Sequence, residues 1–341
     1  MTKGKNSQKR AEGRVLNFDH IVFWVANAKT ASSYFTTRLG FKALAVRECT
    51  ENRPVQSYAV RSNQITLIFE SPTSQGGEIS KDLIAHGDFV KDVAFEVQDL
   101  DELVRKAKEG GAEVVKGITE EKDKHGSLRY AVLRTYGDNT HTLIDRSKYK
   151  GVLWPGFEPV ENDVLNKSLC RGVVDTNTYS SNSLHHSASV INRDENVLLS
   201  MNEAAKGLRP SSKATEFVKA LGTSGVEHIA LYTDDIVATM RNLKARGVDI
   251  LSWPPTYYDL IREKLKHSCV KVAESIEELQ EQNILIDFDE RGYMLQAFTK
   301  HLQARPTVFI EILQRRNHRG FGAMNYKGCL KADREAGEQR D

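Results

Sequence analysis

VKDVAFEVQDLDELVRKAKEGGAEVV, residues 90–115, and VEHIALYTDDIVATMRNLKARGVDIL, residues 226–251, align without a gap at a constant offset of 136 residues. In each, an apolar β-rich run leads into an acidic turn, then a helical stretch, then a glycine suited to a helix end (Gly111 and Gly247). A repeat of this size means that the chain is built as two related halves. Working outward from it, Phe18–Val25 reads as a strand. Ala28–Leu39 reads as a helix, with Ala31, Tyr34, Phe35 and Leu39 at helical spacing and Gly40 closing it. Strands follow near 42–49, 55–61 and 64–70, then a turn at 71–79 and a short helix near 81–86. The next unit has its strand at 90–97, its helix at 99–109, and strands at 112–116, 129–134 and 140–145. The expected fold is therefore α+β, made of tandem βαβββ units.

Composition bounds the function classes. The 341 residues are 40% apolar and 28% charged with a net charge of +2, which gives no reason to expect nucleic acid or an anionic membrane as partner. Four scattered cysteines, Cys49, Cys170, Cys269 and Cys329, show no metal-ligand or disulfide pattern. The polar, basic first ten residues precede no apolar segment, so the expectation is a cytoplasmic protein. The expected organisation is a disordered arm at 1–15, a first domain at 16–147, a linker at 148–167 containing Trp154, a second domain at 168–330, and a tail.

The halves differ where chemistry would lie. Asp92 of the first corresponds to His228 of the second, and the second carries Glu311 inside the apolar strand beginning at Pro306. A carboxylate there is costly unless paired or bound to a metal. A salt-bridged Glu, or a hydrogen-bonded core His–Glu pair, is the bland reading. Placed on two strands that line one curved sheet, His228 and Glu311 also suit a metal. The second half has an insertion, 253–285, containing Trp253-Pro-Pro-Thr-Tyr-Tyr258.

FDHIVFWVANAK (18–29), TYGDNTHTLI (135–144), GVEHIALYTDDI (225–236), WPPTYYDLIREKL (253–265), GYMLQAFTK (292–300) and RPTVFIEILQRRNHRGFGAMN (305–325) together resemble the 4-hydroxyphenylpyruvate dioxygenase family of the vicinal-oxygen-chelate fold. The resemblance implies two half-open barrels, a homodimer, and Fe(2+) held in the second domain by two histidines and a carboxylate. It implies a 2-oxo acid substrate and O2, with homogentisate and CO2 as products, in tyrosine breakdown. His228 and Glu311 match two of the metal ligands. Ser187, Asn202, Gln296, Phe321 and Asn325 match positions around the substrate. Glu227 and Lys213 depart from the family, each standing where it has a glutamine.

The third ligand is expected on the first strand of the second half, in a segment like Phe18-Asp-His-Ile-Val22. His20 precedes Asp92 by 72 residues, and counting 72 back from His228 reaches Gly156, inside the linker. Between Trp154 and Val190 there is no counterpart of the Leu39-Gly-Phe41 turn and no amphipathic helix. The expectation is a second domain lacking its first strand and helix, with only two protein ligands for iron; His185 and His186 are the candidates for a substitute nitrogen, of which at most one could turn inward. Beside the dioxygenase stand two alternatives: a non-catalytic member that binds a metabolite or partner, and a 4-hydroxymandelate-forming oxygenase.

Overall fold

The computed structural model describes residues 13–160, 170, 172–180, 187–203, 213–320, 322 and 325, with the backbone alone for 173–180 and 187. The first half contains β1 (Arg14–Trp24), α1 (Ala28–Thr37), β2 (Lys42–Arg47), β3 (Val55–Ser62), β4 (Ile65–Pro72) and α2 (Glu78–His86). It continues with β5 (Phe89–Gln98), α3 (Leu100–Glu109), β6 (Val114–Asp123), β7 (Gly126–Arg134), β8 (Thr140–Asp145) and the two-residue β9 (Glu158–Pro159). The second half contains β10 (Gly172–Ser180), β11 (Ser187–Ile191), β12 (Leu198–Glu203), α4 (Lys213–Leu221), β13 (Gly225–Tyr232) and α5 (Ile236–Ala245). After these come α6 (Pro255–Lys266), α7 (Ile276–Gln282), β14 (Leu285–Phe288), β15 (Tyr293–Phe298) and β16 (Phe309–Arg316).

The strands form two sheets of one plan. The first runs β6-β7-β8-β5-β1-β4-β3-β2-β9, and the second β14-β15-β16-β13-β10-β12-β11. In both, the first strand pairs antiparallel with the strand of the repeat (β1 with β5, β10 with β13), and that strand pairs parallel with the last (β5 with β8, β13 with β16). The repeat is visible atom by atom at the helix starts. Asp99 caps α3 by accepting from Glu102 N, and Asp235 caps α5 by accepting from Ala238 N. Gly111 and Gly247 both have positive φ, +87° and +74°, where other residues are strained.

One face of each sheet is covered by its helices. Phe35 of α1 meets Phe23 and Phe69, and Ile236, Met240 and Leu243 bury the matching stripe of α5. The other face is concave and carries the polar residues discussed below.

The expected loss of the first strand is corrected by the structure. β10 occupies the place of β1, between the repeat strand and its parallel partner. Among the described residues, the second half shows no counterpart of α1 and β2. Thirty residues separate β1 from β4's neighbour β3 (25–54), but only six separate β10 from β11 (181–186). The polar, turn-rich Gly172–Ser180 segment concealed its strand because it has few large apolar residues, yet its backbone groups complete a ladder on both sides. Without a β2 counterpart, β11 ends the sheet, and Val190 and Ile191 are 55% and 51% exposed there.

The caps provide a test of the repeat. Asp235→Ala removes one side-chain acceptor from the start of α5 and is expected to lower stability by about 1 kcal/mol, read by urea denaturation.

Candidate metal centre

β13 and β16 are parallel, with His228 opposite Phe309 and Ala230 opposite Glu311. Paired residues share a face, and so do residues two apart along a strand. His228 and Glu311 therefore rise from the same concave face on adjacent strands, one row apart. Their side chains meet, with His228 Nε2 3.2 Å from Glu311 Oε2. They are 9% and 5% exposed. Phe309 stacks on the imidazole, 5.0 Å between centroids and 29° between planes.

A chain of buried hydrogen bonds fixes the carboxylate. Gln296 on β15 donates through Nε2 to Glu311 Oε1 at 2.7 Å. Its own Oε1 accepts from Asn325 Nδ2 at 2.7 Å, and Asn325 Oδ1 accepts from Tyr257 OH at 2.8 Å. Tyr257 is fully buried on α6 and accepts in turn from Ile286 N at 3.0 Å. In a low-dielectric interior each link strengthens its neighbours. Gly322 has φ +79°, and a side chain there would collide with the Gln296 amide, so the loop after β16 closes onto Gln296 through a glycine.

The electrostatics are unusual. Burial disfavours a charged His228, but Glu227 and Glu311 outweigh it and raise its pKa to about 10. Glu227 reaches the concave side because of a bulge. Asn177 pairs with His228 and Thr178 with Val226, so Glu227 falls outside the ladder. Its Oε2 lies 3.6 Å from His228 Nδ1, beyond hydrogen-bond distance, and Nδ1 is buried without a hydrogen-bond partner. The same bulge recurs in the first half, where Val22 pairs with Asp92 and Phe23 with Val90, leaving Lys91 outside. Lys91 precedes Glu227 by the repeat offset of 136 residues.

An imidazole nitrogen and a carboxylate converge in a buried cup, and an amide orients the carboxylate. This donor set fits a divalent first-row metal such as iron, which would take the place of the His228 proton. Among the described residues, no group of three His, Cys, Asp or Glu side chains forms a complete cage. The backbone register marks where a third arm would start. His20 pairs with Ala94 in the first half, and Asp175 pairs with Ala230 in the second. Asp175, Ala230 and Glu311 thus stand in one row across β10, β13 and β16.

Of the residues singled out in the sequence, Gln296 binds Glu311 directly, and Asn325 reaches it through Gln296. Ser187 and Asn202 stand opposite each other on β11 and β12. Asn202 is two residues beyond Ser200, whose row runs through Asn177 to His228, so Asn202 shares the concave face. His185, His186 and Phe321 lie outside the described residues. Lys213 begins α4 on the surface, and its charge, like that of Glu227, acts on His301, whose pKa burial lowers. Two residues were missed. Tyr257 sits in the Trp253–Tyr258 motif, whose role spacing alone does not reveal. Ser200 is a buried hydroxyl 3.2 Å from Ser189 Oγ, in an ordinary-looking strand.

The chain is similar to known proteins over most of its length. Residues 19–129 match the Glyoxalase/Bleomycin resistance protein/Dioxygenase superfamily. A 4-hydroxyphenylpyruvate dioxygenase of Xenopus tropicalis is 40% identical over 364 aligned positions, covering 95% of this chain and 92% of the relative. The Danio rerio protein of the same name is 41% identical, covering 95% and 91%. The 364 aligned positions take in 95% of the 341 residues, so about 40 positions of the relative have no counterpart here. Among solved structures, a mutant 4-hydroxymandelate synthase from Streptomyces coelicolor superposes with a TM-score of 0.80 at 26% identity, covering 96% of this chain and all of that one. Twin βαβββ halves with curled sheets place the protein in the vicinal-oxygen-chelate class. Within that class, the chain belongs to the 4-hydroxyphenylpyruvate dioxygenase family, whose named members are enzymes.

Gln296→Leu keeps the bulk of the side chain but frees Glu311 Oε1. It is expected to weaken Co(II) or Fe(II) binding by roughly 10- to 100-fold in calorimetric titration, with an unchanged circular dichroism spectrum.

Proposed function

We propose that this chain is a dioxygenase that converts 4-hydroxyphenylpyruvate and O2 to homogentisate and CO2, a step of tyrosine breakdown, as a cytoplasmic homodimer. The observation that carries the reading is the buried His228–Glu311 pair with Gln296 behind it, in a chain about 40% identical to proteins of that name. His228 and Glu311 would hold Fe(II), which when bound supplies open positions for a 2-oxo acid and for O2.

The protein's own groups do the rest. Gln296, braced by Asn325 and Tyr257, keeps one oxygen of Glu311 engaged and leaves the other facing His228. His228 would hold the metal in its neutral form, and Phe309 holds the ring plane. A divalent cation held there would lie against the carboxylates of Glu227 and Glu311, both close to His228. Burial of the pair excludes bulk water from the reacting groups. Ser187, Asn202, Gln296, Phe321 and Asn325 are the residues we assign to the substrate.

The test is O2 uptake together with chromatographic detection of product, using iron-loaded protein and 4-hydroxyphenylpyruvate. The expected product is homogentisate, and its formation is expected to vanish in His228→Ala. 4-Hydroxymandelate as sole product, or no turnover by protein that holds iron one to one, would overturn the reading. Asp175→His places an imidazole at the row position that His20 holds in the first half. Asp175→His is expected to raise Fe(II) affinity at least tenfold and to increase turnover, measured by metal titration and the same assay.

A further inference from the structure

The first half has a cup of its own on the concave face, a cavity of about 630 Å³ that no step of the proposed reaction uses. That volume is in the range of small-molecule sites. Its floor is built from the positions that the repeat equates with the metal site. His20 stands in the row of Ala94 and Thr142, and Asp92 in the row of Val22 and Thr140.

These floor groups are buried and prepared. His20 and Asp92 are 5% and 6% exposed. His20 Nδ1 lies 2.6 Å from Asp19 Oδ1, and Asp19 is bound on its other side by the Arg146 guanidinium. Burial opposes ionisation of Asp19, but Arg146 and His20 hold its carboxyl far below the usual range. An ionised Asp19 can only accept, so His20 donates to it from Nδ1. Asp92 Oδ1 accepts from Thr140 Oγ1 at 2.5 Å, while Oδ2 is buried without a hydrogen-bond partner. An unsatisfied buried carboxylate oxygen is expensive and calls for a donor.

The walls and rim differ from the floor. Trp154, from the segment joining the halves, packs edge-on against Tyr130 at 4.6 Å and faces His20 at 6.2 Å. Both Trp154 Nε1 and Tyr130 OH donate to Glu121, at 2.9 and 2.7 Å, which stiffens this aromatic wall. Val22 and Val132 also line the cavity. At the rim, Arg53 is committed to Glu70 at 2.7 Å, whereas Arg47 is only loosely paired, 3.7 Å from Glu121. The floor asks for a hydrogen-bond donor, the walls for a flat apolar ring, and the rim for an anion.

We propose that this cup binds a small phenolic carboxylic acid, hydroxyl inward to Asp92 and His20, ring against Trp154 and Tyr130, acid group outward to Arg47. The assignment rests on the cup alone and stands or falls apart from the iron reading.

The test uses chelator-treated, metal-free protein and 4-hydroxyphenylacetate, which has no 2-oxo group with which to chelate iron. Quenching of tryptophan fluorescence and calorimetry are expected to show saturable binding of one molecule per chain. Phenylacetate, lacking the hydroxyl, is expected to bind at least tenfold more weakly. Asp92→Leu removes the unpartnered carboxylate without a loss of volume and is expected to weaken 4-hydroxyphenylacetate at least tenfold. Val22→Trp, filling the cavity, should abolish binding, and Gln296→Leu in the other half should leave it unchanged. No saturable binding would overturn the proposal. So would binding indifferent to the ring hydroxyl and to both first-half substitutions, or binding lost only in Gln296→Leu.

Discussion

The parallel register of β13 and β16 is the constraint on which the second cup depends. It sets Ala230 opposite Glu311 and therefore puts His228 one row away on the same face. A slip of one residue would turn Glu311 into the helix-packed side, where its charge would have no partner. The ladder is held by apolar neighbours, since Ile229, Leu231, Ile310 and Ile312 are buried on the opposite face. The hydrophobic pattern of two strands thus decides where the polar pair meets. Gln296, Asn325 and Tyr257 then lock a geometry that the sheet has already chosen.

Much of this was legible in the sequence, because a gapless repeat fixes strand, helix and glycine together. The Asp99 and Asp235 caps and the Gly111 and Gly247 turns fall where the repeat placed them. His228 and Glu311 stood out as polar residues in apolar strands, and Gln296 and Asn325 stood out by resemblance. The reading failed at β10. Its residues, Gly172-Val-Val-Asp-Thr-Asn-Thr-Tyr-Ser180, look like a turn, and only pairing on both edges makes them a strand. Non-local hydrogen bonds of that kind leave no local pattern. Tyr257 was hidden for a related reason, because its partners, Ile286 and Asn325, are far along the chain.

The two cups show how one scaffold can be given different chemistry. Where the second half has a row of Asp175, Ala230 and Glu311, the first has His20, Ala94 and Thr142. Where the second has His228, the first has Asp92, whose pKa burial lifts to about 6 against the pull of Thr140 and His20. Each cup keeps an imidazole and a carboxylate, His20 on β1 and Asp92 on β5 in the first, His228 on β13 and Glu311 on β16 in the second. Only in the second do they touch.

The shared bulge has a further consequence. Lys91 and Glu227 belong to the sheet by sequence but not by ladder, so side-chain partners rather than backbone pairing fix their place. Each is a surplus position beside a cup, and the two now carry opposite charges. Lys91 is buried against Asp82 and over the Trp24 ring, and Glu227 is buried beside His228, so the position that the ladder leaves unpaired is held in each half by side chains of opposite sign.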